Sequence, residues 1–250
     1  MADYLSIDKV SRHFGGHRAV DQVSFQLQKG TLNGLIGPNG AGKTTLFNLI
    51  SGAMPVSSGH VQFLGQTIKN PQNASKLGIA RTFQNIRLFQ HLSVLENVMV
   101  GMGGIDFLSA SFRLPSMLEA ERLRKKKAYY LLENVGIESL AEKLAHEIPF
   151  GQQRLVEIAR ALATSPKMLL LDEPAAGLNR TETAALASLV RRLHEQEITI
   201  LVVEHDMHFI MNLVDRIIVL DRGQKIADGT PSQIQSCESV CQAYLGTDTL

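Results

Sequence analysis

The chain has no excess of either charge: 25 Lys and Arg stand against 24 Asp and Glu in 250 residues, a formal net charge of +1. Phosphate backbones select for a clear basic surplus, so this balance argues against a nucleic-acid partner. Cysteine is scarce. Cys237 and Cys241 are the two present, and a structural zinc site wants four ligands, so they read as ordinary cytosolic thiols. Long hydrophobic runs are missing too. Met168 to Leu171 and Ile198 to Val203 (interrupted by Thr199) fall far short of the roughly 18–20 residues of a spanning helix. The opening MADYLSIDKV carries Asp3 and Asp8 and no basic region before an apolar run, unlike a signal peptide. Internal repeats and low-complexity linkers are likewise absent. These absences describe a soluble protein. If it works at a membrane, another chain does the spanning.

What is present, 44% apolar residues over 250, is enough for one compact unit or a core with a modest insert. The first part reads as antiparallel β. In VSFQLQ, Val23, Phe25 and Leu27 alternate with polar residues at period two, and Gly15-Gly16 and Lys29-Gly30 mark turns. Further on the strands change character. LNGLI (32–36), MLLLD (168–172), ITILVV (198–203) and RIIVL (216–220) are short and apolar throughout, as parallel strands covered on both faces are. Between them, Leu186, Leu189, Val190 and Leu193 form one face of a helix over 181–196. Alternation of strand and helix gives an α/β layered core.

The middle, about 85–147, differs. Gly101, Gly103 and Gly104 break its pattern, and Leu123, Tyr130, Leu131 and Val135 recur at roughly helical spacing, which predicts a helical insert on the core. The basic run Arg122 to Lys127 alternates with Glu119, Glu121 and Glu133. It reads as a solvated helix face rather than a patch for anionic lipid.

The chemistry begins at GPNGAGKTT: Gly37, Pro38, Asn39, Gly40, Ala41, Gly42, Lys43, Thr44 and Thr45. The stretch fits G-x-x-x-x-G-K-[ST] and runs from a predicted strand into an apolar helix, the context the pattern requires. Its glycines let backbone N–H groups form an anion nest, and the helix adds its positive end. Lys43 supplies a mobile charge for the β- and γ-phosphates, and Thr44 a hydroxyl for Mg2+. LLLDEP (169–174) is the second half. It places Asp172 at a strand's C-terminal edge, suited to Mg2+, with Glu173 next to it to orient or deprotonate the attacking water. His205 also follows a strand, where an imidazole either reaches the γ-phosphate or is structural; His208 reads as surface. Gln84, in RTFQN, is a loop residue whose amide could reach metal or water.

This set, in this order, resembles the nucleotide-binding subunits of ATP-binding cassette (ABC) transporters across essentially the whole chain. The resemblance implies a P-loop NTPase (RecA-like) α/β core with an antiparallel β-subdomain and a helical subdomain inserted between the Gln84 loop and the signature. The whole chain would be a single ATPase domain, with its core at about 1–84 and 155–250 and its helical part at about 85–154. Phe14 would stack on adenine, Thr45 touch the α-phosphate, Gln84 couple to a membrane subunit and His205 contact the γ-phosphate. The loop 176–179 follows LLLDEP as in the family. Ile148-Pro149-Phe150-Gly151-Gln152, ahead of IARAL, stands where the family has Leu-Ser-Gly-Gly-Gln. Gly151 and Gln152 match. Pro149 offers neither hydroxyl nor N–H, and Phe150 replaces a glycine, so this signature reads as weakened or rebuilt.

GIARTFQNIRLF (78–89), LSVLENVMVG (92–101), LDEPAAGLN (171–179) and VVEHDM (202–207) are similar to the ATP-binding subunits of branched-chain amino-acid importers. That resemblance implies ATP and Mg2+ as ligands and a second ATPase subunit, identical or different, facing this one head to tail. It implies integral membrane permease subunits, a periplasmic solute-binding protein, and a peripheral place on the cytoplasmic face of the inner membrane. Other readings fit less well. A kinase would need an acceptor site and lid, and a GTPase a guanine-reading Asn/Thr-Lys-x-Asp segment. Chromosome ATPases insert long coiled coils, and translation cassettes carry two copies. A different transport class, such as lipopolysaccharide export, shares every catalytic motif and differs only in the importer-like segments.

Overall fold

The computed structural model describes residues 4–103 and 115–245. Gly104, one of the expected pattern breakers, lies outside them. Two long antiparallel strands, β1 (Leu5–Phe14) and β2 (His17–Leu27), meet at the Gly15-Gly16 turn. Their alternation is the expected one, with Val23, Phe25 and Leu27 buried and Gln26 exposed. β3 (Leu32–Ile36) follows, then the phosphate-loop sequence and α1 (Lys43–Ile50). β4 (Ser58–Phe63) and β5 (Gln66–Thr67) complete an antiparallel sheet of order β2-β1-β4-β5. α2 (Pro71–Leu77) is capped by the Asn70 side chain and ends at Gly78, which delivers the chain into β6 (Ile79–Arg81).

Helices dominate the next stretch. α3 (Val94–Gly101) opens on a Ser93/Glu96 capping box, and α4 (Pro115–Asn134) is followed by short 3-10 turns at Glu138–Leu140 and Ala145–Glu147. α5 (Phe150–Ala163) leads back to the sheet. Then come β7 (Met168–Asp172), α6 (Arg180–Glu195), β8 (Thr199–Val203), α7 (Met207–Leu213), β9 (Arg216–Asp221) and β10 (Gln224–Gly229). α8 (Pro231–Gln235) and α9 (Glu238–Leu245) close the described chain.

The second sheet has the order β10-β9-β3-β8-β7-β6, parallel except for β10. Its inner strands β3, β7 and β8 are buried at every residue, as their uninterrupted apolar sequences require. Period-two geometry sends successive side chains to opposite faces. Leu169, Leu171, Ile200 and Val202 therefore join the core shared with the helices, while Met168, Leu170, Leu201 and Val203 join the one shared with α1 and the antiparallel sheet. The parallel sheet is thus the middle layer, and its loops at the C-terminal strand ends form one edge.

Two details of the middle segment correct the sequence reading. Leu131 and Val135 of the expected apolar set are buried, with Ala128 and Leu132, but Leu123 and Tyr130 are 62% and 59% exposed. The buried face runs 128, 131, 132, 135, and positions 123 and 130 lie on the opposite side of the helix. Gly101 is the last residue of α3 rather than an interruption. The basic run is mostly solvated, with Lys125 paired to Glu121 at 3.1 Å, although Arg124 turns inward to the Met99 carbonyl at 3.1 Å. Among the described residues no helix is long and apolar enough to cross a membrane.

Candidate functional site

The loop from Gly37 to Gly42 turns from β3 into α1 at that sheet edge. Gly42 has φ +95, and a Cβ there would lie 2.3 Å from the Ala19 carbonyl, so the turn excludes any side chain. No side chain caps α1, which leaves the free N–H groups of its first turn, and the helix dipole, for an anion. Asn39, Gly40 and Thr44 are exposed, Pro38 and Thr45 half-buried, and Gly37 and Ala41 buried. Lys43 folds back over the loop, its Nζ donating to the Gly37 and Pro38 carbonyls at 2.6 and 3.0 Å. Burial lowers its pKa from the ordinary lysine value, and the Glu173 carboxylate partly opposes that shift. From the far end of the chain, Tyr244 hydrogen-bonds the Gly37 backbone, and burial pushes its phenol up to about 12.

Asp172 ends β7 with 4% of its surface exposed. Glu173 follows at φ 44, a left-handed conformation that costs roughly 1–2 kcal/mol in a residue with a Cβ. Its N–H donates to the Val203 carbonyl at 2.9 Å, which fixes the turn against β8. The carboxylate then meets two other predicted residues. Gln84 Nε2 donates to Glu173 Oε2 at 2.8 Å, and His205 Nδ1 lies 3.7 Å from the same oxygen. The structure therefore gathers Lys43, Asp172, Glu173, Gln84 and His205 at one edge. In this arrangement both the glutamine amide and the imidazole address Glu173. His208 is exposed, as expected.

Phe14 ends β1, 45% exposed, with the Arg12 guanidinium 4.8 Å from its ring centroid. The signature stretch starts α5: Pro149 is the N-cap, no side chain caps the helix, and Gly151 and Gln152 are half-buried in its first turn. Phe150 is 48% exposed and has a place within this chain. Its ring packs on Gly177 in the loop after Glu173; Gly177 has φ +79, and a Cβ there would lie 3.0 Å from Phe150 Cε1. The Glu182 carboxylate flanks Gly151.

Four further charged residues hold these loops, and the sequence reading passed over all of them. Arg81 Nη2 donates to Asp172 Oδ2 at 2.7 Å. Arg154, fully buried, donates to the Phe83 and Gln84 carbonyls at 2.6 and 2.8 Å and to Glu157 at 2.9 Å. Burial raises the pKa of Glu157 against the opposing effects of Arg154, the Phe83 N–H and Arg160. Glu204, 1% exposed, accepts the Ala175 N–H at 2.8 Å and the His205 N–H at 3.2 Å, so it ties the two loops flanking Glu173. Burial pushes its pKa up. A signal did exist: Arg154 and Glu157 are opposite charges at i,i+3 among the apolar residues of α5, and Glu204 directly follows an apolar strand.

Among the described residues, no group of three or more His, Cys, Asp and Glu could hold a metal alone. Magnesium asks for less, taking one or two protein oxygens while phosphates and water supply the rest. A strand-end carboxylate, Asp172, beside a phosphate loop with an exposed hydroxyl, Thr44, fits that demand.

Comparison with known proteins agrees with this geometry. The ABC transporter family matches over residues 20–176. The high-affinity branched-chain amino acid transport ATP-binding protein BraF of Pseudomonas aeruginosa is 39% identical over 248 residues, covering 97% of each chain. LivG of Escherichia coli, of the same description, is also 39% identical with 97% of each chain covered. The solved ADP conformation of MJ1267, an ATP-binding cassette of an ABC transporter, superimposes with a TM-score of 0.85 at 32% identity, covering 98% of this chain and 100% of that one. With full-length relatives at this identity and the phosphate loop in place, the chain belongs to the ABC transporter family, as one of its ATP-binding, ATP-hydrolysing subunits.

Proposed function

We propose that this subunit energises uptake of branched-chain amino acids or closely related solutes. It would do so with a second ATPase subunit, permease subunits in the membrane and a solute-binding protein outside it. The observation that carries the ATPase part is Glu173, held between Gln84 and His205 beside Lys43. The full-length similarity to BraF and LivG carries the choice of solute.

In the working cycle the N–H groups of residues 40–45 and Lys43 bind the triphosphate, for which Lys43 leaves the Gly37 and Pro38 carbonyls. Phe14 stacks on the adenine, and Thr45 contacts the α-phosphate. Thr44 and Asp172, with Gln84 nearby, would hold magnesium, which would supply positive charge against the phosphates. Glu173 accepts a proton from the attacking water, and His205 hydrogen-bonds the γ-phosphate. For these roles Glu173 and His205, 3.7 Å apart, turn from each other toward the water and the phosphate. The Gln84 amide therefore exchanges Glu173 for the ligand, and its loop moves with that exchange.

The chain acts as one ATPase domain, with a core of about 1–84 and 155–250 and a helical part of about 85–154. The N-terminus of α5 faces the partner's ATP, so closure of the pair depends on nucleotide. Because Pro149 and Phe150 replace serine and glycine, the partner's site is the weaker of two unequal sites. A cleft of about 350 Å3 lined by Ser51, Phe83, Gly101, Glu157 and Thr164 adjoins the Gln84 loop and is the proposed seat of a permease segment. The subunit then sits on the cytoplasmic face of the membrane.

The test is leucine uptake by cells lacking this chain. Restoration by the wild type and not by Lys43→Ala supports the reading. Unchanged leucine uptake with loss of a different transported solute overturns it.

A further inference from the structure

Beside the carboxylate assigned to the metal lies a half-buried cation that the ATPase mechanism does not use. Arg81 ends β6, and its side chain and that of Asp172 are only 12% and 6% exposed. One end of the guanidinium, Nη2, donates to Asp172 Oδ2 at 2.7 Å. The other, Nη1, donates to Asn48 Oδ1 at 2.6 Å and Ser51 Oγ at 2.9 Å, both contributed by the phosphate-loop helix and its C-cap. The plane is flanked by aromatic rings, with the Phe47 and Phe83 centroids 4.9 and 5.2 Å from Cζ. Arg81 thus joins three parts of the site: the end of α1, the strand-end carboxylate and the segment leading to Gln84.

A guanidinium held on four sides cannot follow a moving carboxylate; it dictates where that carboxylate points. We propose that Arg81 is a positioning residue for the metal site. It holds Asp172 by Oδ2, so that the other carboxylate oxygen is presented to the hydrated magnesium that arrives with ATP, at a fixed distance from the helix that binds the phosphates. Hydrogen-bond partners of metal-ligating carboxylates generally act this way, and their loss weakens metal affinity or activity by about 10–100-fold. The inference rests on the magnesium reading given above. Electrostatics alone predicts the opposite sign, because removing a neighbouring positive charge would strengthen metal binding.

The test measures binding of a fluorescent ATP analogue to the purified chain, in EDTA and in excess magnesium. In the wild type magnesium tightens binding. In Arg81→Met, which keeps the apolar stem between the two rings, affinity in EDTA stays within about twofold while the tightening by magnesium falls about tenfold or more. Arg81→Lys, with charge but no fork, recovers part of it. A merely structural role would weaken both conditions equally. Should the unpaired Asp172 prevent folding of Arg81→Met, the comparison moves to Asp172→Asn. There, adding Arg81→Met must leave the residual magnesium effect unchanged, and a further fall overturns the proposal. So does a magnesium effect in Arg81→Met equal to or larger than that of the wild type. A wild type indifferent to magnesium overturns the magnesium reading together with this one, whereas the variant results overturn this one alone.

Discussion

Replacing Arg154 by methionine removes the contact that pins the Gln84 loop to α5. The guanidinium is fully buried and makes three hydrogen bonds of 2.6–2.9 Å, two to the Phe83 and Gln84 carbonyls and one to Glu157. Its loss leaves the Glu157 carboxylate, 2% exposed, with the Phe83 N–H at 3.4 Å and Arg160 at 3.9 Å. Breaking a buried ion pair from one side costs about 3–5 kcal/mol. Arg160 places the expected loss near the lower end. Against a total stability of roughly 5–15 kcal/mol, that is a large fraction. Arg154→Met/Glu157→Leu removes both charges and recovers part of the loss, short of about 1–2 kcal/mol for the Phe83 and Gln84 carbonyls and the Phe83 N–H left behind. Urea denaturation with midpoint and slope measured for all three proteins checks this. A single variant that loses under about 1 kcal/mol, or a double variant no better than the single, refutes the assignment of Arg154 and Glu157 as a mutually dependent buried pair.

Glu204 supplies a pH test. Its folded pKa is raised by burial above the ordinary carboxylate value of 4.5. Between those two values the native state holds more protons than the unfolded chain, so this contribution to stability is full below the window and is lost as pH rises through it. Glu204→Gln lacks that slope, and urea midpoints measured across the acid range should separate the two proteins with rising pH; parallel profiles contradict the account. At the N-terminus of α5, Pro149→Ser adds a side-chain cap where none exists and should stabilise the protein by about 0.5–2 kcal/mol. The same change should raise turnover at the partner's site in the assembled pair; an unchanged denaturation midpoint rejects the cap, and unchanged turnover rejects the weakened-signature reading.

The parallel strands were legible because burial on both faces requires unbroken apolar runs, and LNGLI and MLLLD are strands over the ranges read from sequence. The phosphate loop and the Asp172-Glu173 pair were legible because their chemistry needs those residue types at a strand-to-helix turn and a strand end. Helical spacing alone misplaced Leu123 and Tyr130, since periodicity shows that residues share a face but not which face the rest of the chain covers. Arg81, Arg154 and Glu204 were missed for another reason. Their partners are 91, 70 and 29 residues away; Arg154 beside Glu157 and Glu204 after an apolar strand stand out locally as charges, but no local pattern names the backbone or loop each one meets on folding. The packing of Phe150 on Gly177, 27 positions on, was hidden in the same way.

The central claim is that Glu173 activates water for ATP hydrolysis at a phosphate site whose binding groups lie elsewhere. Release of phosphate from ATP by wild type and Glu173→Gln, with nucleotide affinity measured on the same samples, tests it most directly. Glutamine keeps the shape but accepts no proton. Turnover should fall by about 10²–10⁴-fold with affinity retained, because Lys43 and the loop are untouched. A Glu173→Gln protein that hydrolyses ATP at the wild-type rate would contradict the account.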